Sequence, residues 1–266
     1  MTKKNITVIS LVPSWTETLL ECGVNVIGRT RFCIHPSAEV EDIPIIGGTK
    51  EADWDKIKSM EPDFVLMDKE ENTKEMADEC PCPTIFTHVQ SLNDVSVALL
   101  TMSEKLENEK LFNLAGRWQA LAQTPNFAVK DLNKLPGLIQ WIRHPEKKIQ
   151  KILYVIWRNP WMTVNRETFI SSVLTKLGIE KYLVDFEEKY PEIDLKDFNS
   201  DTTLLLFSTE PYPFEKKVAE IKMLPFPSLI VNGECYSWFG LRSLIFLETQ
   251  EQLFKPKKRL FNIVSR

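Results

Sequence analysis

A chain of 266 residues, 43% hydrophobic and 26% charged, can bury a sizeable core as one large domain or two modest ones. A formal net charge of −4 argues against nucleic acid as the main partner, and the basic run from Lys255 to Arg266 reads as a solvated terminus. No run approaches the ~20 apolar residues of a membrane span, so the chain is not membrane-spanning. Residues 4–12 crowd Ile6, Val8, Ile9, Leu11 and Val12 into a buried strand that Pro13 ends. Ser14 as N-cap with Glu17 at the third helical position predicts a helix over Trp15–Cys22, and Gly23 closes it. Strands follow at Val24–Gly28, Phe64–Met67 and Thr84–Thr87, with short helices at Trp54–Met60 and Thr73–Asp78. This alternation implies an α/β lobe with a mainly parallel sheet over residues 1–90.

From Ser91 to Gln123 the apolar positions Leu92, Val95, Leu99, Met102 and Leu106, then Leu111, Leu114, Ala115, Trp118, Leu121 and Ala122, share one helical face. Ser91 with Asp94 resembles a capping box, and Pro125 stops the run. At ~1.5 Å per residue, one helix over 91–123 would be on the order of 45–50 Å long, a stiff spine between two lobes. The alternative is an ordinary surface helix split near Asn108. Residues 124–150, punctuated by Pro125, Pro136-Gly137 and Pro145, read as a lobe-linking segment with a short apolar turn at Leu138–Trp141. The strand–helix pattern then resumes through Ile152–Trp157, Glu167–Leu177, Thr202–Phe207, Phe214–Leu224, Ser228–Val231 and Gly240–Leu253, giving a second lobe over 124–266.

In parallel α/β sheets ligands gather at the carboxyl ends of strands. Several loops there are rich in aromatic and paired polar residues: Ser14-Trp15, Arg31-Phe32-Cys33-Ile34-His35, Trp157-Arg158-Asn159-Pro160-Trp161, Glu210-Pro211-Tyr212 and Tyr236-Ser237-Trp238-Phe239. Parallel topology would bring Trp157, Trp161, Tyr212 and Trp238 to one edge, where flat rings suit a large planar or apolar ligand. Trp15, Phe214 and Phe239 have the competing role of packing loop against lobe. Arg31, Arg158 and Arg242 can grip carboxylates or phosphates, or pair with neighbouring acids. His35 beside Cys33 could meet a metal centre or be a hydrogen-bonded loop histidine. Gly47-Gly48-Thr49 is a weak anion nest and no P-loop.

His35, His88 and His144 are the only histidines, and none stands in a nucleophile or metalloprotease motif. Ser14 follows a strand but lacks the glycines of a nucleophile elbow. No enzyme and no intrinsic cofactor is expected; the alternative is an intracellular enzyme using Cys33, His35 or Glu210. Five cysteines, with Cys80 and Cys82 flanking Pro81, fit unpaired thiols in a reducing compartment better than a disulfide framework. The opening Met-Thr-Lys-Lys leads directly into an apolar run too short for a signal core. The expected location is therefore cytoplasmic as written, or periplasmic or cell-surface if a leader has been removed.

The segments Ser10–Glu17, Val26–Thr30, Cys33–Pro36, Ile43-Pro44 with Gly47-Gly48, and Glu61–Leu66 resemble the class III, helical-backbone substrate-binding proteins of ABC importers for cobalamin and iron chelates. Ile156–Val164, Thr168–Ile170, Glu210–Phe214 and Tyr236–Arg242 are similar to the cobalamin-binding branch. The resemblance implies two Rossmann-like α/β lobes with mainly parallel sheets, joined by one long helix, with a ligand cleft between them. It further implies that the loops at Trp15, Phe32, Trp157, Trp161, Tyr212 and Trp238 line the cleft; Ser14, Arg31, His35, Arg158, Phe239 and Arg242 complete the candidate set. The implied ligand is cobalamin or another metal chelate, heme or a siderophore included, and the implied protein partner is an ABC permease. Members that feed importers are exported or lipid-anchored, and the sequence shows neither leader nor lipobox cysteine. A cytosolic relative that binds, stores or senses a chelate is thus the alternative to an importer component.

Overall fold

The structure is a computed structural model and describes residues 5–254; the basic run 255–266 lies outside the described residues. The amino-terminal part places β1 (Thr7–Ser10), α1 (Pro13–Glu21), β2 (Asn25–Arg29), α2 (Ser37–Val40), α3 (Trp54–Ser59), β3 (Phe64–Asp68), α4 (Lys74–Glu79) and β4 (Thr84–Thr87) in order. Its four strands form an all-parallel sheet of order β2-β1-β3-β4. After α5 (Leu92–Lys105) and α6 (Glu109–Gln123) come β5 (Leu138–Arg143), β6 (Lys151–Val155), α7 (Phe169–Lys176), β7 (Thr203–Ser208), α8 (Val218–Ile221), β8 (Ser228–Val231), α9 (Gly233–Ser237) and α10 (Leu241–Phe254). The second sheet has the order β5-β8-β7-β6, parallel except for β5. Among the described residues no helix is long and apolar enough to cross a membrane.

The central strands β1, β3, β7 and β8 are buried on both faces, as their unbroken apolar runs require. Side chains alternate across a strand, so neighbours on one strand enter different clusters. Val8, Leu66 and Ile85 of the first sheet share one continuous apolar cluster with Ile152, Tyr154, Leu204, Leu206, Leu229 and Val231 of the second. Between them lie the buried faces of α5 and α6. The opposite faces make separate clusters, Ile9, Val65 and Met67 in one sheet and Leu153, Val155, Leu205 and Phe207 in the other. One core therefore runs through both sheets, flanked by two smaller ones.

Four expectations need correction. The spine is not one helix. Glu107 takes a left-handed backbone (φ 48°), and Asn108 starts α6 by accepting from the Leu111 amide at 3.1 Å. The two helices fold back on each other, with Ser96 Oγ donating to the Ala115 carbonyl at 3.0 Å. The helical stripe stayed in phase because both arms bury their apolar face in the same core. Only α6 crosses between the sheets, at about 22 Å for its length. Its start is tied to α1 through Asn108 Nδ2 and the Cys22 carbonyl (3.2 Å), and its end to α7 through Lys176 Nζ and the Thr124 carbonyl (2.6 Å).

Leu138–Trp141 is part of an edge strand instead of an apolar turn, antiparallel to β8 with Leu138 opposite Val231. The Phe214–Leu224 helix is split into a 3-10 turn over Phe214–Lys217 and a single α turn, α8. Ser14 is not a cap: Pro13 occupies the first turn of α1, where its fixed φ and missing N–H cost nothing. The expected Gly23 cap, the Ser91–Asp94 capping box and the strands Thr84–Thr87 and Ser228–Val231 are all present.

Candidate functional site

The carboxyl ends of both sheets face each other, and loops from each make direct polar contacts across the gap. From the first sheet come Glu17 in the middle of α1, His35 after β2, and Glu70 after β3. From the second come Glu234 of α9 and Trp238 at its end, Arg242 of α10, and Lys189 and Tyr190 beyond α7. His35 Nε2 lies 3.0 Å from Glu234 Oε1, and its ring meets Trp238 edge-on at 5.2 Å. Arg242 forks between two acids, pairing with Glu17 (Nε to Oε2, 2.9 Å) and with Glu234 (Nη1 to Oε2, 2.9 Å), while its guanidinium lies 5.4 Å from the Trp238 ring. Glu70 accepts from Lys189 Nζ at 2.6 Å and Tyr190 Oη at 3.1 Å across the gap, and sits 2.7 Å from His88 Nε2 on its own side. The two sheets are thus clasped by charged groups where their carboxyl edges meet.

Carboxyl groups dominate this slot, and their environments differ. Burial would raise the Glu70 carboxyl, but the hydrogen bonds from Lys189 and His88 hold it below the usual range. Glu210, after β7, accepts from Ser237 Oγ and from Trp238 Nε1 at 2.7 Å; burial raises it nonetheless, with Glu234 adding repulsion. Glu71 is pushed up to about 7, first by burial and then by Asp68, Glu210 and Glu70, with Lys50 opposing. Asp68 is likewise raised by burial, against the 2.6 Å bond it accepts from Thr87 Oγ1.

The sequence-predicted residues divide into three groups. His35, Trp238 and Arg242 meet where the lobes touch, with Trp238 itself buried against His35, Arg242 and Glu210. Trp157, Tyr212, Trp161 and Arg158 form a second assembly on the loops after β6 and β7. Trp157 meets Tyr212 edge-on at 5.4 Å, Trp161 stacks near Phe214 at 6.3 Å, and Arg158, paired with Glu220, lies 5.4 Å from the Trp161 ring. Trp157 is exposed, whereas Trp161 and Tyr212 pack against the Phe207 and Phe214 core. Phe32 is exposed on the first lobe's rim with Arg31 4.9 Å from its ring, and Arg31 pairs with Glu51 at 2.6 Å.

Ser14, Trp15 and Phe239 belong to the interior and are corrected from ligand contacts to packing residues. Trp15 is fully enclosed, donates from Nε1 to Thr87 Oγ1 at 3.0 Å, and meets Phe239 edge-on at 5.0 Å. Ser14 is buried, and its carbonyl accepts from Thr18 Oγ1 at 2.9 Å. The thiol–imidazole arrangement of the enzyme alternative does not form. Cys33 is buried and bound to Thr16 Oγ1 at 2.9 Å and Thr30 Oγ1 at 3.1 Å, and burial raises its thiol. Among the described residues no group of His, Cys, Asp or Glu could hold a metal ion by itself.

Sequence reasoning missed Glu17, Glu70, Glu71, Lys189, Tyr190 and Glu234. Isolated acids and lysines in polar loops carry no periodic signal, and only the meeting of two distant loops gives them a role. Glu17 was legible as a helix-capping acid, yet its carboxylate turns to Arg242 instead.

No family model matches the sequence, and no curated protein matches it. Solved structures do match in fold. The periplasmic vitamin B12 binding protein BtuF of Vibrio cholerae is 15% identical, with 94% of this chain and 96% of that one covered and a TM-score of 0.63. S. aureus IsdE complexed with heme is 14% identical over 94% of this chain and 99% of that one, with a TM-score of 0.66. The periplasmic heme-binding protein RhuT from Roseiflexus sp. RS-1 is 15% identical over 94% and 97%, with a TM-score of 0.65. Along nearly its whole length, then, the chain has the two-sheet α/β fold of these periplasmic binding proteins.

Proposed function

We propose that this chain is a non-enzymatic binder of a large metal chelate, a corrinoid foremost, held in the slot between its two sheets. The observation that carries this reading is the convergence of both carboxyl edges on one gap, where Trp238, His35 and Arg242 meet across the lobes. Phe32 and Trp157, both exposed on loops at those same edges, offer flat apolar area to a macrocycle. Proteins of the same fold include ones named for vitamin B12 and heme binding, which supports the ligand class. The clasps between the lobes must open for so large a ligand, whose polar groups must replace the partners of these partly buried pairs. An ABC permease is the protein partner this reading implies.

Titration of the purified chain with cyanocobalamin, hemin and a ferric siderophore, followed by absorbance and tryptophan fluorescence, tests the reading. Saturable binding of at least one chelate, weakened by Trp238→Ala, is the expected result. No saturable signal with any of the three overturns it.

A further inference from the structure

At the amino end of the second sheet, away from the edge where the lobes meet, the segments before and after β5 and the turn after α7 enclose a cavity of about 380 Å³. That volume is within the ~300–1,000 Å³ of small-molecule sites. Its floor is apolar and aromatic. Ile149 is buried in the core that both sheets share, and Leu132, Trp141 and Tyr182 pack on the margin of that core. Trp141 stacks on His144 with ring centres 4.6 Å apart and planes 24° from parallel. The Trp141 indole N–H is enclosed and finds no acceptor among the described residues. The rim is basic, with Lys130, Lys147 and Lys148 all exposed along it and Lys181 4.9 Å from the Tyr182 ring. The acids beside them are already engaged. Asp131 Oδ1 accepts from the Asn133 amide and from Asn133 Nδ2, both at 3.0 Å, and Asp201 pairs with Lys147 at 2.6 Å. The ammonium groups of Lys130 and Lys148 make no hydrogen bond or ion pair among the described residues.

We propose that this cavity is a second binding site, for a small phosphate monoester that carries a flat ring, the chemistry of a nucleoside monophosphate. The ring lies against Trp141 and Tyr182, whose faces accept any flat π-system. The phosphate lies at Lys130 and Lys148. A phosphate monoester carries about −1.5 to −2 charge near neutrality, which two lysines without acid partners balance. Lysine suits that group because its ammonium is a compact point charge with three donors. A neutral ring would leave those charges unmatched, and a bare phosphate would leave the aromatic floor uncovered. A long polyanion is disfavoured by the formal net charge of −4 on the chain as a whole. None of His35, Trp238 and Arg242 lines this cavity, so it does not depend on the proposed chelate site.

Three probes take the ligand apart: AMP, adenosine and inorganic phosphate, each titrated calorimetrically against the full chain at low salt. AMP should bind saturably and at least about tenfold more tightly than either of the other two. Replacing both exposed lysines, Lys130→Gln with Lys148→Gln, should weaken AMP by about tenfold or more while adenosine changes by less than about twofold. Added salt should weaken AMP in the unsubstituted protein, a measurement that does not depend on how the variant folds. In an NMR titration AMP should move the Trp141 indole N–H resonance, assigned by its loss in Trp141→Phe. No saturable binding of AMP overturns the proposal. Phosphate binding as tightly as AMP overturns the ring-bearing class, and adenosine binding as tightly as AMP overturns the role of the lysines. AMP binding unchanged by the paired lysine substitutions, with the Trp141 resonance unmoved, overturns the assignment to this cavity. Each of these failures leaves the chelate reading standing, because its residues lie elsewhere.

Discussion

The two sheets meet along two seams of opposite chemistry. At the back, Trp118, Phe169, Phe239 and Trp15 run as a chain of edge-on rings at 6.1, 5.7 and 5.0 Å, and Trp118 Nε1 donates to the Gly240 carbonyl at 2.8 Å. Thr18 Oγ1 accepts from the Leu241 amide beside them at 3.0 Å. At the front, contact is made by ion pairs, His35 with Glu234, Arg242 with Glu17, and Lys189 with Glu70. Apolar burial is additive and needs no partner of particular charge, so the back seam fixes the relative position of the lobes. The front ion pairs are partly buried, their side chains 12–27% exposed, so each opens only where replacement polar partners offset the loss of its own. The molecule separates holding from admitting.

Breaking the back seam should cost most. Trp118 is fully buried in α6, and Trp118→Ala should destabilise the protein by about 3–5 kcal/mol, a lowering of Tm on the order of 10 °C in a chain this size. A loss under about 1 kcal/mol would mean the lobes do not depend on this ring.

The front seam predicts a pH dependence instead. The folded Glu71 carboxyl titrates at about 7, above its ordinary 4.5. Between those values the folded protein keeps a proton that the unfolded chain has lost, so stability falls as pH rises from about 4.5 through 7. Glu71→Gln should flatten that fall and stabilise the protein by about 1–2 kcal/mol at pH 8, measured by denaturant unfolding across the range. A pH profile identical to that of the unsubstituted protein would show that Glu71 is not strained by its neighbours.

Lys189→Ala should do less to stability, about 1–3 kcal/mol, because His88 and Tyr190 still hold the partly buried Glu70. Its effect should appear as faster amide exchange in residues 183–193 with the back seam unchanged. If Lys189→Ala destabilised the chain as much as Trp118→Ala, the contrast between the seams would fail.

Much of this arrangement is written locally. The β-branched and apolar runs Phe64–Met67, Thr84–Thr87 and Ser228–Val231 state their strands, and Ser91 with Asp94 states a helix start. The break falls where the alternative reading split the helix, near Asn108, but the reversal there left no local trace, because neither glycine nor proline marks it and Leu106 and Leu111 both enter the same core. The edge strand β5 was hidden by its half-exposed composition, since an edge strand needs no continuous apolar run. At the site, rings were legible as ring-bearing loops, but whether a ring faces the slot or the core depends on packing that no local pattern carries. Trp15, inside α1, and Trp238, just after α9, are both buried, and one donates within its own lobe to Thr87 while the other donates to Glu210 and meets His35 of the opposite lobe.

One core shared by both sheets has a kinetic meaning for the proposed chelate binding. With Ile152, Tyr154 and Leu229 packed into the same cluster as Val8, Leu66 and Ile85, the halves cannot swing apart without exposing that cluster to water. Entry must therefore proceed by local unfastening at the mouth, side chain by side chain. The barrier to uptake and release would then be set by salt and proton concentration rather than by the stiffness of a hinge.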